Sequence, residues 1–126
     1  MRKTGDPAAR RRAERRGRAA EAFALLWLRC KGYRPVARDW RVPQGQIDLI
    51  VSRGRSLAFV EVKRRDDLAG GLAAISPQQR RRITAAARAF LLAHPHWARR
   101  RLRFDLVIIR PWRLPTHLPN AFAALP

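Results

Sequence analysis

Hydrophobic positions predict a first helix near the start of the chain. In residues 17–31, apolar side chains recur at i, i+3, i+4, i+7 and i+8, which is the stripe of a core-facing helix. Gly32 follows and offers a C-cap. The residues of the predicted stripe are Ala20, Phe23, Ala24, Trp27 and Leu28.

A second helix is predicted after a clear start signal. Ser76 is suited to the N-cap, Pro77 to the first turn and Gln79 to the third helical position. The helical pattern continues to about Ala93 and stops before Pro95. The predicted buried stripe is Ile83, Ala86, Ala87, Phe90 and Leu91.

Short strands fill the space between the helices and after them. Residues 33–42 alternate loosely around a proline and suit an edge strand. Residues 47–51 and 57–62 are apolar runs joined by a glycine-containing turn, which predicts a β-hairpin, and residues 103–109 predict a last strand. The order α-β-β-β-α-β favours an α/β (α+β) fold, a mixed β-sheet flanked by helices.

The remaining segments lack a periodic apolar pattern. Residues 1–16 are rich in arginine and predict a basic, flexible or loosely helical N-terminal arm. Residues 17–110 would form one compact domain, and the proline-rich residues 111–126 an irregular tail. Residues 64–75 contain two aspartates and two glycines and predict a mobile loop.

The strongly positive charge of the chain indicates a domain that binds polyanions. The chain has 126 residues, a net charge of +19 and a pI near 12.0. Such a charge requires a polyanionic partner or counterions, and nucleic acid is the first candidate. Biased base composition would explain why all basic residues but Lys3, Lys31 and Lys63 are arginines, but it would not explain +19.

Cysteine content and hydropathy bear on the compartment. Cys30 is the only cysteine, so no intrachain disulfide can form and a reducing compartment is expected. Its place in an apolar helix predicts a packing residue. The first twenty residues carry too many charges for a signal sequence, and no apolar run approaches a membrane span. We therefore expect a cytoplasmic protein.

Three charged side chains share one face of the predicted hairpin. A turn centred on Gly54 and Arg55 sets Asp48 opposite Glu61, whereas one centred on Arg53 and Gly54 sets it opposite Phe59. In either register Asp48, Glu61 and Lys63 have the same parity. The opposite face would be apolar and would pin the hairpin on a core. That predicted apolar face comprises Ile47, Leu49, Val51, Ala58, Val60 and Val62.

Facing carboxylates need a positive charge or a proton between them. At about 5 Å and an effective dielectric near 20 they repel by roughly 3 kcal/mol. Lys63, a nearby arginine, a shared proton or a divalent cation such as Mg²⁺ or Mn²⁺ would each relieve the repulsion. The alternative is an ordinary ion-pair network on a solvated sheet face.

This pattern resembles a known nuclease motif. Asp48, twelve residues, and then Glu61-Val62-Lys63 is similar to the motif of the PD-(D/E)XK nuclease superfamily. Across residues 17–109 the chain resembles the YraN family of small bacterial endonuclease-like proteins. The stretches that carry the resemblance are GRAAEAFALLWLRCKGY, ARDWRVPQGQIDLIV, LAFVEVKRR, AAISPQQRRRITAAARAFL and RFDLVII.

The resemblance implies a fold and a set of site residues. The fold would be a restriction-endonuclease-like core similar to archaeal Holliday-junction resolvases. Asp48 and Glu61 would hold Mg²⁺ or Mn²⁺ with the Val62 carbonyl, Lys63 would be the catalytic lysine, and Glu21 would approach from helix one. From position alone, a solvated surface glutamate is the more common outcome for Glu21.

Two glutamines lie at positions where this family usually has site or site-adjacent residues. Gln79 resembles a residue near the phosphate and is counted with the catalytic group, although Ser76-x-x-Gln79 is also a capping box that needs no substrate. Gln46 replaces the glutamate that usually precedes Ile-Asp in this family, which removes one negative charge beside the site.

Other polar and aromatic residues receive simpler predictions. His94, His96 and His117 are interpreted as surface residues, Asp105 as structural, and Trp40, Trp97 and Trp112 as packing residues. Six arginines near the hairpin end could track a phosphate backbone, and the alternative for them is a solvated helix face. These candidates for nucleic-acid binding are Arg64, Arg65, Arg80, Arg81, Arg82 and Arg88.

Three functions therefore stay open. The first is an Mg²⁺-dependent endonuclease-like hydrolase acting on DNA, branched or single-stranded. The second is a catalytically inactive DNA- or RNA-binding module that retains the nuclease fold. The third is an RNA- or ribosome-associated protein in which only charge matters. A homodimer would suit branched DNA, and the sequence leaves the oligomeric state open.

Overall fold

The chain folds into one mixed five-stranded sheet with helices on both faces, so the predicted α+β class is confirmed. The structure is a computed structural model and describes residues 6–73 and 75–125. Its helices are α1 (Pro7–Cys30), α2 (Leu68–Ala73) and α3 (Pro77–Ala93), with a 3-10 turn at Pro95–Arg99. Its strands are β1 (Arg34–Val42), β2 (Gly45–Arg53), β3 (Ser56–Arg64), β4 (Arg101–Ile109) and β5 (Thr116–Leu118).

The strands are ordered β1-β2-β3-β4-β5 across the sheet. Only β3 and β4 are parallel to each other, and α3 lies in the connection between them. In the β2–β3 hairpin, Val51 pairs with Ala58, which places Gly54 and Arg55 at the turn and selects the first of the two registers that the sequence allows. Gly54 has φ +58, a value that glycine adopts without steric cost.

Two apolar cores form, one on each face of the sheet. Against α1 lie Leu49, Val51 and Val60, and against α3 lie Ile50 and Phe59. The hairpin is therefore buried on both faces, and the charged side chains emerge only at the strand ends.

One residue of the predicted apolar face was assigned to the wrong side. Ile47 packs in the core under α3, whereas Leu49, two residues later, packs under α1. Strict alternation therefore fails at Asp48, and the β2–β3 ladder pairs no residue beyond Leu49 and Val60.

Helix α1 begins ten residues earlier than predicted, at Pro7. Asp6 is the N-cap, and its Oδ1 accepts a hydrogen bond from the amide of Ala8 at 3.1 Å. An Asp-Pro pair is a good helix start, but the arginine run behind it hid the signal. Part of the predicted basic arm, residues 1–5, lies outside the described residues.

The buried stripe of α1 is rotated from the predicted one. Ala20, Ala24 and Leu28 are buried as expected, together with Leu25, whereas Phe23 is 38% exposed. Leu25 is four residues after Glu21, so the rotation brings that acid toward the sheet.

Two segments predicted to be irregular contain regular structure. Leu68–Ala73 forms α2, in which Gly71 approaches Ile108 so closely that a Cβ would lie 2.5 Å from its side chain. In the predicted tail, Thr116–Leu118 adds β5 to the sheet edge beside β4.

Asp105 has the structural role that was predicted for it. The side chain is fully buried and lies 2.8 Å from both Arg103 Nη2 and His117 Nε2. Burial alone would raise the pKa of Asp105, but hydrogen bonds from His117, Arg103 and the Asn120 amide outweigh it and hold the pKa below its usual range. The surface prediction for His117 is wrong, since its side chain is 2% exposed and links β5 to β4.

Two further packing predictions are wrong. Cys30 is exposed, because it lies on the outer side of the last turn of α1. Trp112 is fully exposed after β4, whereas Trp40 and Trp97 pack against the core under α3. Within the described ranges, no helix has the length and apolarity needed to cross a membrane.

Candidate functional site

A cleft of about 540 Å³ opens where the ends of β2 and β3 meet α1 and the first turn of α3. The two helices meet the β2–β3 hairpin here because α1 and α3 cover opposite faces of it. The charged or amide side chains that line the cleft are Glu21, Gln46, Asp48, Glu61, Lys63, Arg64, Gln78, Gln79 and Arg82.

The carboxyl groups of Asp48 and Glu61 lie together in this cleft. Asp48 Oδ2 accepts a hydrogen bond from the amide of Val62 at 2.8 Å. That contact lies just beyond Leu49 and Val60, the last residue pair of the β2–β3 ladder, and it fixes the Asp48 side chain beside Glu61. Glu61 is only 7% exposed, so the pair does not lie on a solvated sheet face.

Glu61 is the most perturbed acid of the site. Burial, a hydrogen bond with Asp48 and the negative charge of Asp48 together raise its pKa to about 9, against the opposing effects of Lys63 and Gln79. In the absence of another cation, this shift favours the protonated form of Glu61 at neutral pH.

Lys63 and Gln79 complete the group around Glu61. Lys63 Nζ donates to Gln79 Oε1 at 3.2 Å and lies 3.9 Å from Glu61 Oε2. The Gln79 amide nitrogen Nε2 donates to the same Glu61 oxygen. One glutamine thus holds both the acid and the amine.

The capping-box interpretation of Gln79 holds only for its backbone. The Gln79 amide N–H donates to Ser76 Oγ at 3.1 Å, as an N-cap requires. Its side chain points to the site and makes no return bond to Ser76. A cap and a site contact therefore coexist at one residue.

Glu21 enters the cleft from α1 through the rotated helix face. It is partly buried, and burial together with the charges of Asp48 and Asp39 raises its pKa to about 7. Sequence reasoning missed Asp39, which lies between the residues of β1 that pair with Ile47 and Leu49. Its φ of +52 is tolerated by aspartate better than by most residues, and the local sequence gives no hint of that backbone conformation within β1.

The structure divides the six candidate arginines. Arg64 and Arg82 line the cleft. Arg80 donates from Nη2 to the carbonyl of Ala123 at 3.3 Å and so anchors the C-terminal segment. The remaining three, Arg65, Arg81 and Arg88, are exposed and lie outside the cleft lining.

The donor set of the cleft fits a hard divalent cation. Carboxylate and carbonyl oxygens are the ligands that Mg²⁺ and Mn²⁺ accept, and Asp48, Glu61 and the Val62 backbone line the same space. Residues 6–73 and 75–125 contain no group of three or more His, Cys, Asp or Glu side chains able to hold a metal ion. Two carboxylates would leave positions for water or phosphate, as is usual for Mg²⁺.

Similarity to known proteins covers nearly the whole chain. The model of the "Uncharacterised protein family UPF0102" matches residues 20–109. A UPF0102 protein of Methylorubrum extorquens is 54% identical over 97% of this chain and 96% of its own length. One from Rhodopseudomonas palustris strain HaA2 is 47% identical over the full length of both chains. All the charged and amide residues of the cleft lie inside the matched range. The protein belongs to the UPF0102 family.

Proposed function

We propose that this protein is an Mg²⁺- or Mn²⁺-dependent endonuclease-like enzyme that hydrolyses phosphodiester bonds of DNA. The observation that carries the proposal is the half-buried Asp48 beside the buried Glu61 in an open cleft, with the Lys63 amine held next to them. The cleft volume of about 540 Å³ lies within the range of small-ligand sites and can admit a nucleotide unit.

The two acids would hold the cation together with the Val62 carbonyl. Asp48 Oδ2 accepts a hydrogen bond from the Val62 amide, which fixes this carboxylate in the cleft, and a carboxylate keeps further lone pairs that could bind a cation. A bound divalent cation would polarise the phosphodiester and stabilise charge on the leaving oxygen. Glu61 would have to give up its proton to serve as a ligand, because carboxylates bind a cation in the ionised form.

Lys63 would position the attacking water and stabilise charge on the phosphate. Its hydrogen bond to Gln79 Oε1 at 3.2 Å fixes the amine in the cleft while leaving two N–H donors. A compact ammonium suits this task better than a planar guanidinium. Hydrolysis then adds water across one P–O bond, giving a terminal phosphate and a free hydroxyl.

Glu21 is the group suited to exchanging protons near neutral pH. A carboxyl with a pKa of about 7 is divided between its two forms there. Arg64 and Arg82, at the cleft wall, would hold flanking phosphates without reading sequence.

A second candidate is a DNA- or RNA-binding module without turnover. The contact that favours it is made by Gln46, whose Nε2 donates to Asp39 Oδ1 at 2.8 Å. Gln46 therefore adds no carboxylate to the pair, and the affinity for a cation would rest on Asp48 and Glu61.

The two candidates separate in a cleavage assay. Supercoiled, single-stranded and four-way-junction DNA are incubated with the protein and Mg²⁺ or Mn²⁺. The proposal predicts cleavage by the wild type and by Asp66→Asn, a control on an exposed loop, and at least a hundredfold loss in Glu61→Gln and Lys63→Ala. Binding of all three DNAs without cleavage by the wild type would favour the second candidate.

A further inference from the structure

A second cleft lies at the far end of the same hairpin, about 17 Å along the strands from the acid pair if each residue adds about 3.3 Å. Its volume is about 420 Å³, and its charged lining consists of Arg34, Arg53 and Arg100. None of its lining residues is acidic. Three cations thus surround one space with no carboxylate to balance them.

Two of these arginines are fixed by contacts of the fold. Arg53 donates from Nη1 to the carbonyl of Lys31 at 3.1 Å, and its guanidinium lies 4.4 Å from the centre of the Tyr33 ring. Arg100 donates from Nη1 to the carbonyl of Gly54 at 3.0 Å, and its guanidinium lies 4.7 Å from the Trp97 ring centre.

These contacts leave most of the donor capacity unused. A guanidinium has five N–H donors and each of these bonds uses one. The stacked rings limit side-chain rotation, so little entropy remains to be lost when an anion binds. The guanidinium of Arg34 takes part in no hydrogen bond or ion pair with any described residue, and it is exposed at the cleft wall.

We propose that this arginine cleft binds the phosphate backbone of a nucleic-acid strand whose other segment lies in the acid cleft. Phosphate oxygens match the planar donor fork of arginine, and a polyanion would relieve the repulsion among the three cations. At one phosphate per 3.4 Å of a stacked strand, the two clefts would be joined by about five nucleotides. The choice of nucleic acid rests on the proposed function, whereas the anion chemistry does not.

Binding without cleavage tests this site on its own. A fluorescent 12-nucleotide DNA is titrated with the protein in EDTA, where hydrolysis cannot occur. Arg34→Gln and Arg53→Gln should each weaken binding about tenfold, the effect of losing a charge-assisted hydrogen bond. Arg113→Gln removes the same charge from an exposed position outside both clefts and should change the Kd less than threefold.

The salt dependence separates a contact from a general charge effect. Each variant of the arginine cleft should lower the slope of log Kd against log salt by about 0.7, the value for one phosphate contact with a single strand. Equal effects of Arg34→Gln and Arg113→Gln would overturn the site. Melting temperatures within a few degrees of wild type for Arg34→Gln exclude unfolding as the cause.

Inorganic tripolyphosphate distinguishes the sources of phosphate. If it displaces the DNA only at millimolar concentration, the strand is the ligand. Micromolar displacement that Arg34→Gln abolishes would mean that a free polyphosphate is the ligand and would overturn the nucleic-acid assignment. If the wild type never cleaves DNA but Arg34→Gln weakens binding, the arginine cleft is supported and the proposed hydrolysis is contradicted. If the wild type cleaves DNA and Arg34→Gln leaves the Kd unchanged, the hydrolysis is supported and the arginine cleft is contradicted.

Discussion

Glu61 is a carboxyl group that the fold buries beside another carboxyl group. An unfolded glutamate titrates near 4.3, whereas burial and Asp48 raise the folded pKa to about 9. Between these two values the folded chain holds a proton that the unfolded chain has released, so the free energy of unfolding falls as pH rises. Sites that keep such a cost in the fold are often functional.

Glu61→Gln should therefore stabilise the metal-free protein. At pH 8 in EDTA we expect its free energy of unfolding to exceed that of the wild type by about 1–3 kcal/mol, and the difference should shrink toward zero near pH 4. Urea unfolding at pH 4.5, 6 and 8 measures it. Glu14→Gln on the exposed side of α1 is the control, and a Glu61→Gln protein that is less stable at every pH would contradict the assignment.

Asp105 shows the opposite behaviour of a buried acid. Its contacts favour the charged form, so it stabilises the fold above the unfolded pKa near 3.9, and this contribution is lost as pH falls through its lower folded pKa. Asp105→Asn would leave Arg103 without its charge partner, and we expect a loss of about 3 kcal/mol at pH 7.

Chemical denaturation at pH 7 and pH 3 tests that loss. The difference between Asp105→Asn and wild type should be smaller at the lower pH. Asp66→Asn, on the exposed loop before α2, should change stability by less than about 0.5 kcal/mol. An Asp105→Asn protein as stable as wild type at pH 7 would show that β5 does not depend on this contact.

At the level of elements, the contact between β2 and α3 positions the site. Gly45 faces the backbone of α3 so closely that a Cβ would lie 2.0 Å from the Arg82 carbonyl oxygen. A side chain here would push α3, and with it Gln79, away from Glu61. A glycine at position 45 therefore allows the backbones of β2 and α3 to lie in contact.

Gly45→Ala should cost more than about 2 kcal/mol of stability and should weaken every function of the acid cleft. Gly17→Ala is the matched control, because that helical position has nothing within 4 Å of the added Cβ, and alanine there should stabilise by up to about 1 kcal/mol. Thermal unfolding of both variants gives the comparison. Equal stability of the two would mean that α3 can shift without cost.

The same elements show what the sequence could and could not predict. The hairpin and its turn at Gly54 were predictable, but the sequence allowed two registers, and the break in alternation between Ile47 and Leu49 left no local signal. The orientation of α1 was not, since Phe23 and Leu25 are equally apolar and only packing against the sheet selects Leu25. Strand β5 has three residues, too few for a periodic signal, and it depends on the distant contact of His117 with Asp105.

Across the whole molecule, acidic and basic residues are distributed unevenly. The chain has a net charge of +19, yet three of its nine acidic residues, Glu21, Asp48 and Glu61, line one cleft. Strand parity and motif spacing predicted Asp48 and Glu61, and the family resemblance implied Glu21. Neither pointed to Asp39, which has a positive φ, or to the arginine cleft, whose residues come from segments far apart in the sequence. A basic surface around this pair of acids is the distribution that the proposed function requires, because the surface charge would attract a polyanion toward the cleft.

Calorimetric titration of Mn²⁺ at pH 8 in two buffers of different ionisation enthalpy tests the central claim most directly. The wild type should bind the ion and release about one proton, the one that Glu61 holds in the metal-free protein, and Asp48→Asn/Glu61→Gln should not bind. Absence of binding at millimolar Mn²⁺, or equal binding by the double variant, would contradict a cation site at this pair.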